Sequence, residues 1–188
     1  MALIKLNATR GLENALPAIS GANLTGVSAG KILQVVQTVK TDQFSSNSTS
    51  FVDITGLTVA ITPASSSNKV FIFLSTYLGA SHSDRGIPLN LYRGSTLLTQ
   101  GDANGSMTRA SGGIHTVHGT SQQNATYNST MMFLDSPSTT SATTYKIQGA
   151  ITTGGSSGTF YVNTAGDGYT GSERISQLTT FTAMEVES

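Results

Sequence analysis

The sequence predicts an all-β protein, an antiparallel β-sandwich of jelly-roll-like, knob type that follows an extended N-terminal segment. After residue 30, apolar and polar residues alternate in short runs, which is the pattern of strands with one solvated face. Clusters of Gly, Asn, Ser and Pro separate these runs, and none of them keeps a helical period. Thr, Val and Ile occur throughout, and β-branched residues favour strands.

The runs can be placed in order along residues 31–188, which we predict to be a single head domain of about eight to ten strands. The predicted strand runs are 32–39, 51–54, 57–62, 70–74, 89–92, 96–99, 126–134, 144–148, 159–163 and a closing run within 174–186. Arg93, Gly94 and Ser95 predict the turn of a hairpin. In the closing run, the candidate core residues are Ile175, Leu178, Phe181 and Met184.

The run from Val70 to Leu74 is apolar at every position, which predicts a central strand buried on both faces. Together with Met131 to Leu134, it supplies more apolar side chains than a sheet with one solvated face needs. Some of this surface is therefore expected to lie between subunits.

Residues 1–30 differ from the rest of the chain, because single apolar residues are spaced through a Gly-, Ala- and Asn-rich background. The segment is too short to bury these side chains alone, so we predict that it docks onto a partner, the alternative being a flexible tail. The candidate docking residues are Leu3, Leu6, Leu12, Leu16, Ile19 and Leu24.

The composition excludes several classes of function. The 188 residues carry no net charge and no cysteine, and only 11% are charged, against about 25% in ordinary soluble domains. Without a basic surplus, nucleic-acid binding is not expected. No apolar run is long enough for a membrane span, and the N-terminus lacks the pattern of a signal peptide. Ser and Thr are the most frequent residues.

Motifs that resemble catalytic or cofactor sites lack their structural context. Residues 166–171 match G-x-G-x-x-G, but no helix is predicted after them. Residues 154–158 match G-x-S-x-G, yet a strand rather than a helix follows. His115 and His118 would point to opposite faces of a strand. The carboxylates show no pairing, so we predict no catalytic residues, no metal and no cofactor.

Several phrases of the sequence resemble small virion proteins of tailed bacteriophages, in particular tail-fibre proteins of marine phages. The most specific is LPAISGANLTG leading into KILQVV; later ones are LYRGSTLLTQGDANGS, FLDSPSTTSATTYKIQG and GTFYVN. The resemblance extends over nearly the whole chain and brings no catalytic signature with it.

The resemblance implies a non-enzymatic virion structural protein, a homotrimeric fibre that attaches to other virion proteins through residues 1–30. It would be assembled in the bacterial cytoplasm without a signal peptide, and its head would face outward to contact a host glycan or protein. Two alternatives remain open at this stage. One is a capsid or tail decoration protein without a receptor role, and the other is a polysaccharide depolymerase.

If the head contacts the host, its loops are the expected contact regions, because aromatic faces, hydroxyls and amides bind sugars well. The candidate loops are 81–86, 102–115 and 165–172. The candidate contact residues are His82, Arg85, Arg109, His115 and Tyr169.

Overall fold

The predicted all-β class is confirmed by the structure, a computed structural model that describes residues 31–116, 125–152, 158–166, 171–172 and 174–188. Every regular element within these ranges is a strand, and they contain no helix that is long and apolar enough to cross a bilayer. The strands are β1 (Ile32–Lys40), β2 (Phe44–Ser46), β3 (Val52–Ile61), β4 (Lys69–Ala80), β5 (Gly86–Arg93), β6 (Thr96–Leu97), β7 (Gly112–His115), β8 (Tyr127–Asp135), β9 (Thr143–Gly149), β10 (Phe160–Val162) and β11 (Thr179–Val186).

The strands form two antiparallel sheets that pack as a jelly-roll-like sandwich. Sheet A has the order β1-β11-β4-β10-β2, with β8 paired to β4. Sheet B has the order β3-β9-β5-β6, with β7 paired to β5. Most neighbouring strands are far apart in sequence, so the sandwich depends on non-local pairing.

The inner faces of the sheets supply one apolar core, as the period-two patterns require. In β4, Val70, Ile72 and Leu74 are fully buried, and opposite them sheet B buries Leu89, Leu91 and other aliphatic residues. The central position of β4 is confirmed by its pairing with β11 on one side and β8 on the other. Its outward residues Phe71 and Phe73 are only half-buried, so the predicted burial of both faces is not met within a single chain.

Two predicted runs, 51–54 and 57–62, are in fact one strand, β3. Gly56 interrupts the pairing of β3 with β9, where the register shifts between Asp53 and Thr58. Its φ of 84° is accessible to glycine but rarely to other residues. The extra residues therefore form a bulge that keeps both halves in the same sheet, rather than a turn that separates them.

The closing run was predicted with four core residues, and only Phe181 is fully buried. Ile175 and Leu178 precede β11 and are 73% and 48% exposed, so their assignment to the core is wrong. Met184 lies on the outward face of β11 and is half-buried. Because β11 begins only at Thr179, Ile175 and Leu178 lie before the strand, and its pairing does not place them in the core.

The chain between β3 and β4 is fixed by a buried carboxylate, Glu185 of β11. Its oxygens accept hydrogen bonds from Gln34 Nε2 (2.6 Å), Asn68 Nδ2 (2.6 Å) and the Ala64 amide (2.7 Å). Burial alone would raise the pKa of this carboxyl, but the hydrogen bonds from Asn68, Gln34 and nearby backbone amides outweigh burial. The pKa therefore lies below its ordinary value of 4.5.

Stability is expected to fall in acid, partly through Glu185. The carboxylate stabilises the fold above pH 4.5, and this stabilisation is lost as the pH drops through the lowered pKa of the folded state. Urea unfolding at pH 7 and pH 3 measures the loss. Glu185→Gln should cost about 1–3 kcal/mol at pH 7 and flatten the pH dependence. The matched change Glu187→Gln, at an exposed position, should do neither; equal effects of the two variants would contradict this role.

Candidate functional site

An open groove of about 670 Å³ lies at the end of sheet B where β5 and β7 pair. One wall is formed by β5 and β7, and another by the loop between β6 and β7. The lining consists of Gly86, Ile87, Pro88, Ser106, Met107, Thr108, Ala110, Gly112, Gly113, Ile114, His115 and Thr152. Two of the three loops predicted as contact regions, 81–86 and 102–115, thus contribute to one concave surface.

The floor of the groove depends on Gly113 in β7. Its φ is 136°, and a Cβ atom at this position would lie 2.2 Å from the carbonyl oxygen of Ile87. Glycine therefore allows β7 to approach β5 closely enough to pair with it. Without this approach, β7 would lose its pairing with β5.

Thr152 connects the floor of the groove to the start of β5. Its Oγ1 accepts from the Gly86 amide at 2.8 Å, and its own amide donates to the Gly86 carbonyl at 2.9 Å. These bonds fix the start of β5 where the groove begins. Sequence reasoning did not single out Thr152, because nothing local indicates that it pairs with a residue so far along the chain.

The turn between β4 and β5 carries two predicted contact residues, and it places them differently. Arg85 is only 6% exposed. Its Nη1 donates to the Asp84 carbonyl at 2.9 Å, and its amide donates to Thr116 Oγ1 at 2.9 Å. The prediction of Arg85 as a surface contact is therefore corrected: the side chain is buried within the turn, where it donates to the Asp84 carbonyl.

His82, His115 and Asp84 lie on the exposed rim. His115 Nε2 is 3.8 Å from Asp84 Oδ1, and both side chains are more than half exposed. His82 Nδ1 lies 2.9 Å from Ser81 Oγ. The fold thus brings His115 to the groove and next to the turn that carries His82, and the contact role of both stays a prediction.

Arg109 supports the loop between β6 and β7. Its Nε donates to the Gly101 carbonyl at 2.7 Å, while the Ala110 carbonyl accepts from the Gly101 amide at 3.0 Å. The loop is thereby folded back on itself, and Met107, 70% exposed, stands at the groove. Tyr169 and the six docking residues of the N-terminal segment lie outside the described residues.

The described lining of the groove combines hydroxyl, backbone and apolar groups. Hydroxyls of Ser106, Thr108 and Thr152 alternate with apolar side chains, and His115 is the titratable group among the described lining residues. A glycosidase places two carboxyl groups about 5–9.5 Å apart across its substrate, and the described lining contains no carboxylate. The described part of the chain also holds no cluster of metal-ligating side chains.

Comparison with known proteins adds only distant likenesses. No protein-family model and no curated protein sequence matches the chain. Solved structures of infectious bursal disease virus align with it at low similarity. The Gx strain structure gives a TM-score of 0.43 at 17% identity over 91% of this chain and 44% of the viral chain. The VP2 subviral particle gives 0.43 at 17% over 91% and 43%, and the Gt strain gives 0.42 at 15% over 98% and 48%.

This chain therefore spans less than half of these three viral chains. Likenesses with TM-scores this low establish neither a shared fold nor a shared function.

Proposed function

We propose that this chain is a non-enzymatic structural protein of a tailed-bacteriophage virion, a trimeric fibre whose sandwich head meets the host surface. In this proposal, residues 1–30 attach the protein to other virion proteins through Leu3, Leu6, Leu12, Leu16, Ile19 and Leu24. The proposal starts from the phrases of the sequence that resemble fibre proteins of marine phages. The scarcity of charged residues fits a particle component that has no nucleic acid to bind.

The observation that carries the receptor role is the groove itself. Separate loops of the head are held by specific bonds so that they form one concave surface with hydroxyls, backbone groups and apolar side chains. Pockets of this size and mixed lining are the usual form of sites for small or branched ligands. Hydroxyl donors and acceptors beside apolar faces suit a surface glycan.

Binding rather than cleavage is supported by the same lining. Hydrolysis of a glycosidic bond needs a proton donor and a second carboxylate, and the described lining offers hydroxyls and one imidazole instead. The proposal therefore gives the head an adsorption role and gives it no depolymerase activity.

Adsorption competition tests the receptor role. Purified protein is mixed with host cells before the phage whose genome encodes this chain is added, and free phage is counted. The wild-type protein should inhibit adsorption. Thr108 is exposed and lines the groove, so Thr108→Trp places a bulky side chain in it. This variant should raise the half-inhibitory concentration at least about tenfold, which corresponds to about 1.4 kcal/mol of binding free energy.

The matched control is Thr144→Trp, the same substitution at an exposed position of β9 outside the groove lining, and it should inhibit like the wild type. Absence of inhibition by the wild-type protein, or equal inhibition by all three proteins, would contradict the receptor role of the groove.

A further inference from the structure

The outer faces of the two sheets differ in chemistry. On sheet B, Asp53 accepts from Lys146 Nζ (3.0 Å) and Gln148 Nε2 (2.7 Å), with exposed Thr58 and Thr144 nearby on the same face. This is the ordinary charged and polar surface of a solvated sheet. The outer face of sheet A is less charged: Lys69 lies at one end of it, and apolar side chains occupy much of the rest.

The pairing registers define rows of side chains across the outer face of sheet A, because partners in an antiparallel register share a face. The most apolar row is Leu134, Phe71, Met184 and Val35. The next row is Met132, Phe73, Thr182 and Gln37. A third is Thr130, Ser75, Thr180 and Val39. No residue in these rows is charged.

The apolar members of the rows are half-buried on the central strands β4 and β11 and exposed on the flanking strands β1 and β8. Met132 is 65% exposed, and Val35 is 56% exposed. At one end of the face, Tyr77 and Thr180 border a recess of about 360 Å³ together with Ile175 and Leu178. The face therefore combines a flat apolar area with a concave rim of exposed aliphatic side chains.

The size of this face suits a stable interface. The four strands β1, β11, β4 and β8 lie about 4.8 Å apart and rise about 3.3 Å per residue, so the six residues of each strand that carry the three rows span roughly 400 Å² in projection. Side chains that stand on a face of this size supply much of the roughly 800 Å² per partner that a standard interface buries.

We propose that the outer face of sheet A is the surface through which copies of this chain pack against one another. The three rows combine apolar side chains with hydroxyl and amide groups and leave no charge to be buried unpaired, so in a trimer one edge of this face can pack against the other edge of the same face in the next copy. The three rows themselves offer no charge to a partner recognised by charge, such as a nucleic acid or an anionic membrane. The inference deepens the oligomeric head of the proposed function and rests on it.

Light scattering and peroxide footprinting of the full chain test the inference together. The mass should exceed that of one protomer at micromolar concentration. Peptide mass spectrometry should then find that hydrogen peroxide oxidises Met107 at least about fivefold faster than Met132, although both are well exposed in one protomer. On dilution to the monomer, the two rates should converge. A monomeric wild-type protein would overturn the inference. Protection of Met132 that persists in the monomer would also overturn it, because residues 1–30 of the same chain would then cover this face.

Met132→Lys gives an independent test when the assembly does not dissociate on dilution. The variant should be folded by circular dichroism and monomeric, whereas Thr144→Lys on the outer face of sheet B should keep the wild-type mass. A folded Met132→Lys protein of unchanged mass would overturn the inference. If Met132→Lys does not fold, the relative oxidation rates of Met107 and Met132 in the wild-type protein decide whether this face is buried by self-association.

Failure here is distinguishable from failure of the receptor role, because inhibition of adsorption depends on Thr108 and the groove. A monomeric protein that still inhibits adsorption would remove the self-association surface alone. An oligomer that does not inhibit would remove the receptor role alone.

Discussion

Asp135→Ala is expected to lower the free energy of unfolding by about 3–4 kcal/mol, because it removes the centre of a buried bridge between the sheets. Asp135 lies on β8 of sheet A. Both of its carboxylate oxygens accept from Arg93 Nη1, Oδ1 at 2.9 Å and Oδ2 at 2.8 Å. It also accepts from the hydroxyl of Tyr145 at 2.7 Å. Arg93 and Tyr145 both belong to sheet B, so one carboxylate holds the two layers together at this end.

The buried hydroxyl of Tyr145 makes the expected loss of unfolding free energy larger. Burial, and then the hydrogen bond to Asp135, raise the pKa of its hydroxyl, so the group remains a donor. Without Asp135, a fully buried hydroxyl and a largely buried guanidinium lose their shared acceptor.

Thermal unfolding measures the effect, and the midpoint should fall by about 10–15 °C for a domain of this size. Asp102→Ala removes a carboxylate at an exposed loop position and should shift the midpoint by less than about 2 °C. If the two variants unfold at the same temperature, the bridge does not hold the sheets together.

Gly113→Ala is the second change with a large expected effect, and it acts on the groove. The added Cβ would lie 2.2 Å from the Ile87 carbonyl oxygen at a φ of 136°. The clash and the strained backbone together are expected to cost about 3 kcal/mol. Because the clash is with the backbone of β5, β7 must separate from β5, and the groove should lose one wall.

Hydrogen exchange and urea unfolding detect this outcome. The amides of β7 should exchange at least about tenfold faster than in the wild type, and adsorption competition should be lost. Gly101→Ala is the matched control, since its Cβ would meet nothing closer than 4.0 Å, and its stability should stay within about 0.5 kcal/mol of the wild type. Unchanged protection of β7 in Gly113→Ala would mean that the pairing does not require this glycine.

Most of the sandwich could be predicted because many of its strands have a local pattern, either alternation or, in β4, a continuous apolar run. The run 57–62 and the hairpin around Gly94 have a local signal, and the structure contains both. Two strands had no such signal. β2 has three residues and is held by β10, more than a hundred positions later, while β7 begins with two glycines that ordinarily indicate a loop.

The groove could be predicted only in part, for a related reason. Loops rich in Gly, Ser and Asn are surface candidates from composition alone, and two of them do meet. The burial of Arg85 and the place of Thr152 in the floor accompany bonds between distant segments: the Arg85 amide donates to Thr116 Oγ1, and the Gly86 amide donates to Thr152 Oγ1. Such partners exist only once the chain has folded, so no local pattern indicates them.

Presence of the chain on purified virions tests the central claim most directly. Particles of the phage whose genome encodes this sequence are banded by density, digested for peptide mass spectrometry and labelled with antibody against the head. The account predicts peptides of this chain at a fixed ratio to the capsid protein and antibody label on intact particles. Particles that lack the chain, with the protein found only in the infected-cell lysate, would contradict it.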